Sequence, residues 1–107
     1  MSEFIQIVTT TATQDDAREI AAALVERRLA GCVQIVGPIE SFYRWNGKTE
    51  TATEWQCLIK TRTELLSSVE QAIGAIHKYE VPEIIALRII DGSELYLHWL
   101  KTETAAE

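Results

Sequence analysis

The residues best suited to chemistry in this 107-residue chain lie in one run, His77-Lys78-Tyr79-Glu80-Val81-Pro82-Glu83. An imidazole followed by carboxylates can hold a divalent cation weakly, His77 giving nitrogen and Glu80 or Glu83 giving oxygen, within one chain or across a subunit boundary. The competing reading of His77 is a helix-terminal residue whose charge suits the negative end of the helix dipole. Cys32 and Cys57 are soft ligands by type and small core hydrophobes if buried. His98 stands between aromatics and reads as packing. No His/Cys/Asp spacing fits a zinc pattern. The chain has no nucleophile elbow, phosphate-cradling glycine loop or metalloprotease motif, so no enzyme is expected.

The elements that must position these residues follow from periodicity. Phe4 to Thr10 is β-branched and apolar, a first strand. Thr13 with Asp16 forms a capping-box variant, and Ala17, Ile20, Ala21, Leu24 and Val25 recur at helical spacing. Arg27 and Arg28 fall in the last turn of that helix, with Gly31 as its C′ residue. A second helix starts after Thr63 as N-cap and carries Leu65, Leu66, Val69, Ala72, Ile73 and Ile76 as one stripe. Pro82 keeps Val81 out of helical geometry. The apolar run Ile84 to Ile90 reads as a strand buried on both faces. Ser93 caps a short helix bearing Leu95, Tyr96, Trp99 and Leu100, and the polar end from Thr102 to Glu107 reads as frayed. The order β-α-β-β-α-β plus a terminal helix predicts one α+β domain over residues 1–107. That order is the ferredoxin-like split βαβ, with two helices on one face of an antiparallel sheet.

Between the helices lie two strand-like arms, Cys32 to Trp45 and Lys48 to Arg62. Asn46-Gly47 at their tip predicts a type I′ turn, which needs positive φ at both central residues. Each arm runs roughly a dozen residues, about twice the common strand length. With Trp45 opposite Lys48, Val33 and Ile35 fall opposite Lys60 and Leu58, mixing core and solvent positions. A bulge at Gly37-Pro38 corrects this, placing Val33 opposite Ile59 and Ile35 opposite Cys57. The far part then carries Phe42, Tyr43, Trp45 and Trp55 on a ribbon that is marginal alone in water. Its unpaired edges template another chain, so these aromatics are the expected interface of a homo-oligomer.

Composition sets the class. Hydrophobic content of 47%, charged content of 24% and a net charge of −6 suit a globular domain without a phosphate-binding basic patch. No nucleic acid partner is expected. No apolar run approaches the ~20 residues of a membrane helix, and the N-terminus lacks a signal-peptide pattern. Two cysteines without export signals read as free thiols in a reducing cytoplasm.

The runs Leu29-Ala30-Gly31-Cys32-Val33, Tyr43-Arg44-Trp45-Asn46-Gly47-Lys48, Leu58-Ile59-Lys60-Thr61-Arg62 and Tyr79-Glu80-Val81-Pro82-Glu83-Ile84 resemble the CutA divalent-cation tolerance proteins. Ala86-Leu87 and the closing Tyr96-Leu97-His98-Trp99-Leu100 extend the likeness over nearly the whole chain. The resemblance implies a ferredoxin-like subunit in a tight homotrimer, similar in architecture to the PII signalling proteins, and a link to copper and other divalent cations. For copper it implies a first-strand cysteine and two adjacent histidines before the Tyr-x-x-Pro-Glu run. Those positions hold Thr9, His77 and Lys78 here, so only His77 of that set keeps a ligand. Trp45, Lys60, Tyr79 and Glu80 converge in this reading on a cleft between subunits, either as a small-molecule site or as interface packing. Two functions follow as expectations. One is a trimer in divalent-metal tolerance through weak cation binding. The other is a PII-like sensor that binds a metabolite between subunits and presents its surface to a protein partner.

Overall fold

The computed structural model describes residues 3–105. Its strands are β1 (Phe4–Thr11), β2 (Cys32–Trp45), β3 (Lys48–Arg62) and β4 (Ile85–Ile89). Its α-helices are α1 (Gln14–Glu26), α2 (Leu66–Ile76), entered through a 3-10 turn over Thr63–Leu65, and α3 (Glu94–Glu103). The strands form one antiparallel sheet in the order β2-β3-β1-β4, the ferredoxin-like arrangement expected. The core lies between α1, α2 and one sheet face, built from Ile5, Ile7, Ile20, Leu24, Cys57, Ile59, Val69 and Ile73. Phe4 and Val8, on the opposite face by strand alternation, are buried as well.

The hairpin register is the one the hydrophobic pattern demands. Trp45 pairs with Lys48, Val33 with Ile59 and Ile35 with Cys57, and the register shifts between Val36 and Ile39. Asn46 and Gly47 take φ of 51° and 76°, as a type I′ turn requires. The Gly37-Pro38 bulge contains a cis peptide. A Cβ on Gly37 would lie 2.4 Å from the Trp55 ring, so only glycine lets that indole lie on the bulge. β1 pairs with β3 only from Trp55 to Arg62. Beyond Trp55 the hairpin continues as a bare two-stranded ribbon.

Four expectations need correction. The α1 terminus is not closed by Gly31: Arg27 is the C-cap and Arg28 takes the left-handed conformation at φ 59°. Arg28 tolerates it because its guanidinium donates to the Thr102 and Glu103 carbonyls, capping the negative end of α3. Gly31 is needed instead for closeness, since a Cβ there would meet Leu100 Cδ1 at 2.6 Å. Thr63 does not precede α2 as its N-cap but opens the 3-10 turn.

β4 is an edge strand rather than a doubly buried one, with Ile85 and Leu87 each 49% exposed. The end of the chain is not loose through Thr104. That residue is buried, and Arg62 donates to both its hydroxyl and its carbonyl.

Candidate functional site

The run 77–84 leaves α2 and crosses the end of the sheet, held by two side chains. His77 uses both ring nitrogens. Nδ1 accepts from the Tyr79 N–H at 3.1 Å, so the proton sits on Nε2, which donates to the Thr10 carbonyl at 2.8 Å. The two rings meet tilted at 46°, with a centroid distance of 5.0 Å. Tyr79 then donates its hydroxyl to Glu54 Oε2 at 2.7 Å. Burial first, and the Glu54 carboxylate second, push the Tyr79 hydroxyl well above its ordinary range. It stays a proton donor at any physiological pH.

Glu54 occupies a singular place. It is the first β3 residue beyond the last pair with β1, Thr11 with Trp55. It is 7% exposed although it carries a carboxylate. Among the described residues, Tyr79 is the only hydrogen-bond partner of its side chain. The bare ribbon on one side and the run 77–84 on the other enclose a cleft of about 760 Å³ with Glu54 in its lining. Phe42, Tyr43 and Trp45 give it aromatic surface, and Lys78 to Glu83 close the other wall.

The expected site residues divide accordingly. Trp45 and Tyr79 meet at the cleft, with Glu80 and Glu83 exposed on its wall. Lys60 does not join them. It lies six residues along β3 from Glu54, about 20 Å at strand rise, where it donates to Gln34. Lys78 lines the cleft instead, within 3.3 Å of Glu19 and 3.8 Å of Asp16.

No three His, Cys, Asp or Glu side chains among the described residues are grouped to hold a metal ion, so His77, Glu80 and Glu83 form no preassembled set. Thr9 is fully buried, and its hydroxyl has no partner among the described residues. Phe42, Tyr43 and Trp45 are exposed on the ribbon, whereas Trp55 is half-buried against the core. Both cysteines are free thiols. Cys57 is a core residue whose thiol burial pushes up to about 11, and its Sγ donates to the Ala17 carbonyl. His98 is exposed rather than packed. No helix among the described residues is long and apolar enough to cross a membrane.

Glu54 was not anticipated from the sequence. Its one sequence signal is an acid beside Trp55 in a strand arm, which alternation alone assigns to solvent.

Comparison with known proteins agrees with this architecture. The family model described as CutA1 divalent ion tolerance protein matches residues 5–103. The chain is 42% identical over 100 residues to a chloroplastic CutA protein of Arabidopsis thaliana, covering 94% of this chain and 55% of that one. It is 43% identical over 98 residues to the divalent-cation tolerance protein CutA of Thermus thermophilus, covering 92% and 95% respectively. This chain thus spans about half the length of the plant relative and nearly all of the bacterial one. The crystal structure of CutA1 from Oryza sativa superposes with a TM-score of 0.95 at 39% identity, over 99% of this chain and 97% of that one. The chain belongs to the CutA family of divalent-cation tolerance proteins.

Proposed function

We propose that this chain acts in tolerance of, and response to, divalent metal ions, copper among them, as a homotrimer closed through the far half of the β2–β3 hairpin. The observation that carries the assembly is the bare ribbon. Phe42 is 70% exposed, and Tyr43 and Trp45 are more than two-fifths exposed, on a two-stranded segment that water alone supports poorly. The exposed apolar edge of β4 supports the same reading.

Cation binding in this proposal is weak. A metal recruiting His77 must first displace a hydrogen bond to Thr10 or Tyr79, and its other ligands come from Glu80, Glu83 or a neighbouring subunit. The compartment proposed is the cytoplasm, where two free thiols persist. No catalytic step is proposed.

Sedimentation velocity at micromolar protein is expected to give a trimer, and a monomer would overturn the assembly. Calorimetric titration of copper and zinc into chelator-treated protein is expected to show weak binding that His77→Ala weakens further. No binding up to millimolar metal, or no effect of the variant, would remove direct metal contact from the proposal.

The cleft favours a second reading, a PII-like sensor of a small ligand that signals to a protein partner. Its support is a space of about 760 Å³ with a buried carboxylate in its lining. A metabolite that raises the thermal midpoint while metals do nothing would favour this reading over the first.

A further inference from the structure

We propose that His77, Tyr79 and Glu54 form a relay that sets cation capture against assembly. A divalent cation taking the His77 ring loosens the base of the ribbon, and an assembled ribbon weakens the hold on the cation. The inference rests on the weak-cation and trimer readings above and adds the coupling between them.

The first link is the imidazole. Both ring nitrogens are already used, Nδ1 as acceptor for the Tyr79 N–H and Nε2 as donor to the Thr10 carbonyl. A neutral imidazole offers one lone pair at a time. Nδ1 can turn to a cation only by giving up the Tyr79 N–H. Nε2 can do so only after its proton has moved to Nδ1, where it faces the Tyr79 N–H donor to donor. Both routes end with the same bond lost. The His77 backbone stays where α2 puts it, its N–H donating to the Ile73 carbonyl at 2.8 Å.

The second link is Tyr79. The run from Lys78 to Glu83 has no helix or strand ladder of its own, and Tyr79 is half-buried between exposed Lys78 and Glu80. Its place is set by side-chain contacts: the bond from its N–H to His77, the tilted contact of the two rings, and the bond from its hydroxyl to Glu54. Loss of the first frees the backbone that aims the hydroxyl.

The third link is Glu54, paired with Ile39 where the hairpin leaves β1 behind. It is 7% exposed, and Tyr79 is the only hydrogen-bond partner of its side chain among the described residues. A buried carboxylate that loses its donor moves toward water, which opens the joint from which the ribbon extends. Linkage makes the effect reciprocal, so whatever fixes the ribbon raises the free energy of taking His77 away.

The test is sedimentation of the full chain in a urea series, with and without zinc chloride at a level that saturates by calorimetry. Zinc serves because copper oxidises free thiols, of which the chain has two. Zinc is expected to lower the urea midpoint at which trimer gives way to monomer. The dissociation constant should rise by roughly tenfold, the scale of one hydrogen bond to a charged group. Tyr79→Phe keeps the backbone N–H and the ring but removes the hydroxyl. It should lower the midpoint without zinc, and zinc should then lower it no further. His77→Ala should also make the midpoint unresponsive, which separates the relay from zinc held by the thiols of unfolded chain. Because Tyr79→Phe strands a buried carboxylate, Tyr79→Phe with Glu54→Gln repeats the test without that charge. Bound zinc with an unchanged or raised midpoint, or a zinc shift that survives in both Tyr79 variants, overturns the relay and leaves the metal and trimer readings standing. No zinc binding up to millimolar metal overturns it together with the metal reading, and a monomer in plain buffer overturns it together with the trimer.

Discussion

The two halves of the β2–β3 hairpin have the same ladder and different neighbours. Near the helices, Cys32 to Val36 pairs with Gln56 to Lys60, β1 lies along the other side of β3, and Cys57 and Ile59 are fully buried. Past the bulge, Ile39 to Trp45 pairs with Lys48 to Glu54 in equally regular register, yet Phe42 is 70% exposed. Backbone hydrogen bonds alike, the halves differ in apolar burial, which dominates folding free energy. The near half therefore belongs to the fold of the subunit. In the proposed trimer, the far half is stabilised by a neighbouring subunit. Glu54 and the cleft lie where one regime gives way to the other.

Paired substitutions break this comparison most directly. Ile59→Ala removes a fully buried side chain from the near half and is expected to cost about 3 kcal/mol of unfolding free energy in denaturant titration. Phe42→Asp, in the far half, is expected to leave the subunit folded by circular dichroism but to shift sedimentation from the proposed trimer to monomer. Should Phe42→Asp unfold the chain as Ile59→Ala weakens it, the halves are one cooperative unit and the contrast is wrong.

A second prediction uses Cys57 as a reporter of near-half burial. Its thiol is held protonated to about pH 11, against an ordinary value of 9.0 in the unfolded chain. Between these values the folded state keeps a proton that the unfolded state has lost, so stability falls as pH rises through 9 to 11. The full loss is at most about 3 kcal/mol, and below pH 9 the effect is absent. Tyr79 and Tyr96, also raised, add losses of the same sign at high pH. The difference between the chain and Cys57→Ala, measured by denaturation at pH 8 and pH 10.5, isolates the cysteine. A pH-independent difference would place Cys57 in contact with solvent.

The near half was legible in the sequence because alternation with period two admits one register once a face is buried. The mismatch of Val33 and Ile35 required a bulge in β2, and the strand-disfavoured pair Gly37-Pro38 located it, where the register does shift. The β4 error has the same root. An apolar run such as Ile84 to Ile90 reads identically whether its second face is covered by its own helices or lies open on an edge. The Gly31 error arose because glycine marks both helix ends and close approaches, and here Leu100 claims it. At the site, Trp45 and Tyr79 were legible as members of recognisable runs. Lys60 lies outside the lining of the cleft that one chain forms, six residues along β3 from Glu54. Glu54 was invisible because its burial is made by the run 77–84 folding over it, a contact between residues 25 apart.

The smallest predicted effect has the opposite sign and tests the near half at its one flaw. Thr9 pairs with Cys57 across β1 and β3, is fully buried, and offers a hydroxyl that no described residue meets. An unsatisfied buried hydroxyl costs about 1–3 kcal/mol, while a methyl of the same shape costs nothing there. Thr9→Val is therefore expected to stabilise the subunit by about 1 kcal/mol in denaturant titration, with sedimentation and cleft binding unchanged. The β-branched backbone preference is the same for both residues, so the hydroxyl is the only variable. A destabilised Thr9→Val would mean that the hydroxyl has a partner, a bound water or a neighbouring chain, and that the near half is less self-contained than its burial implies.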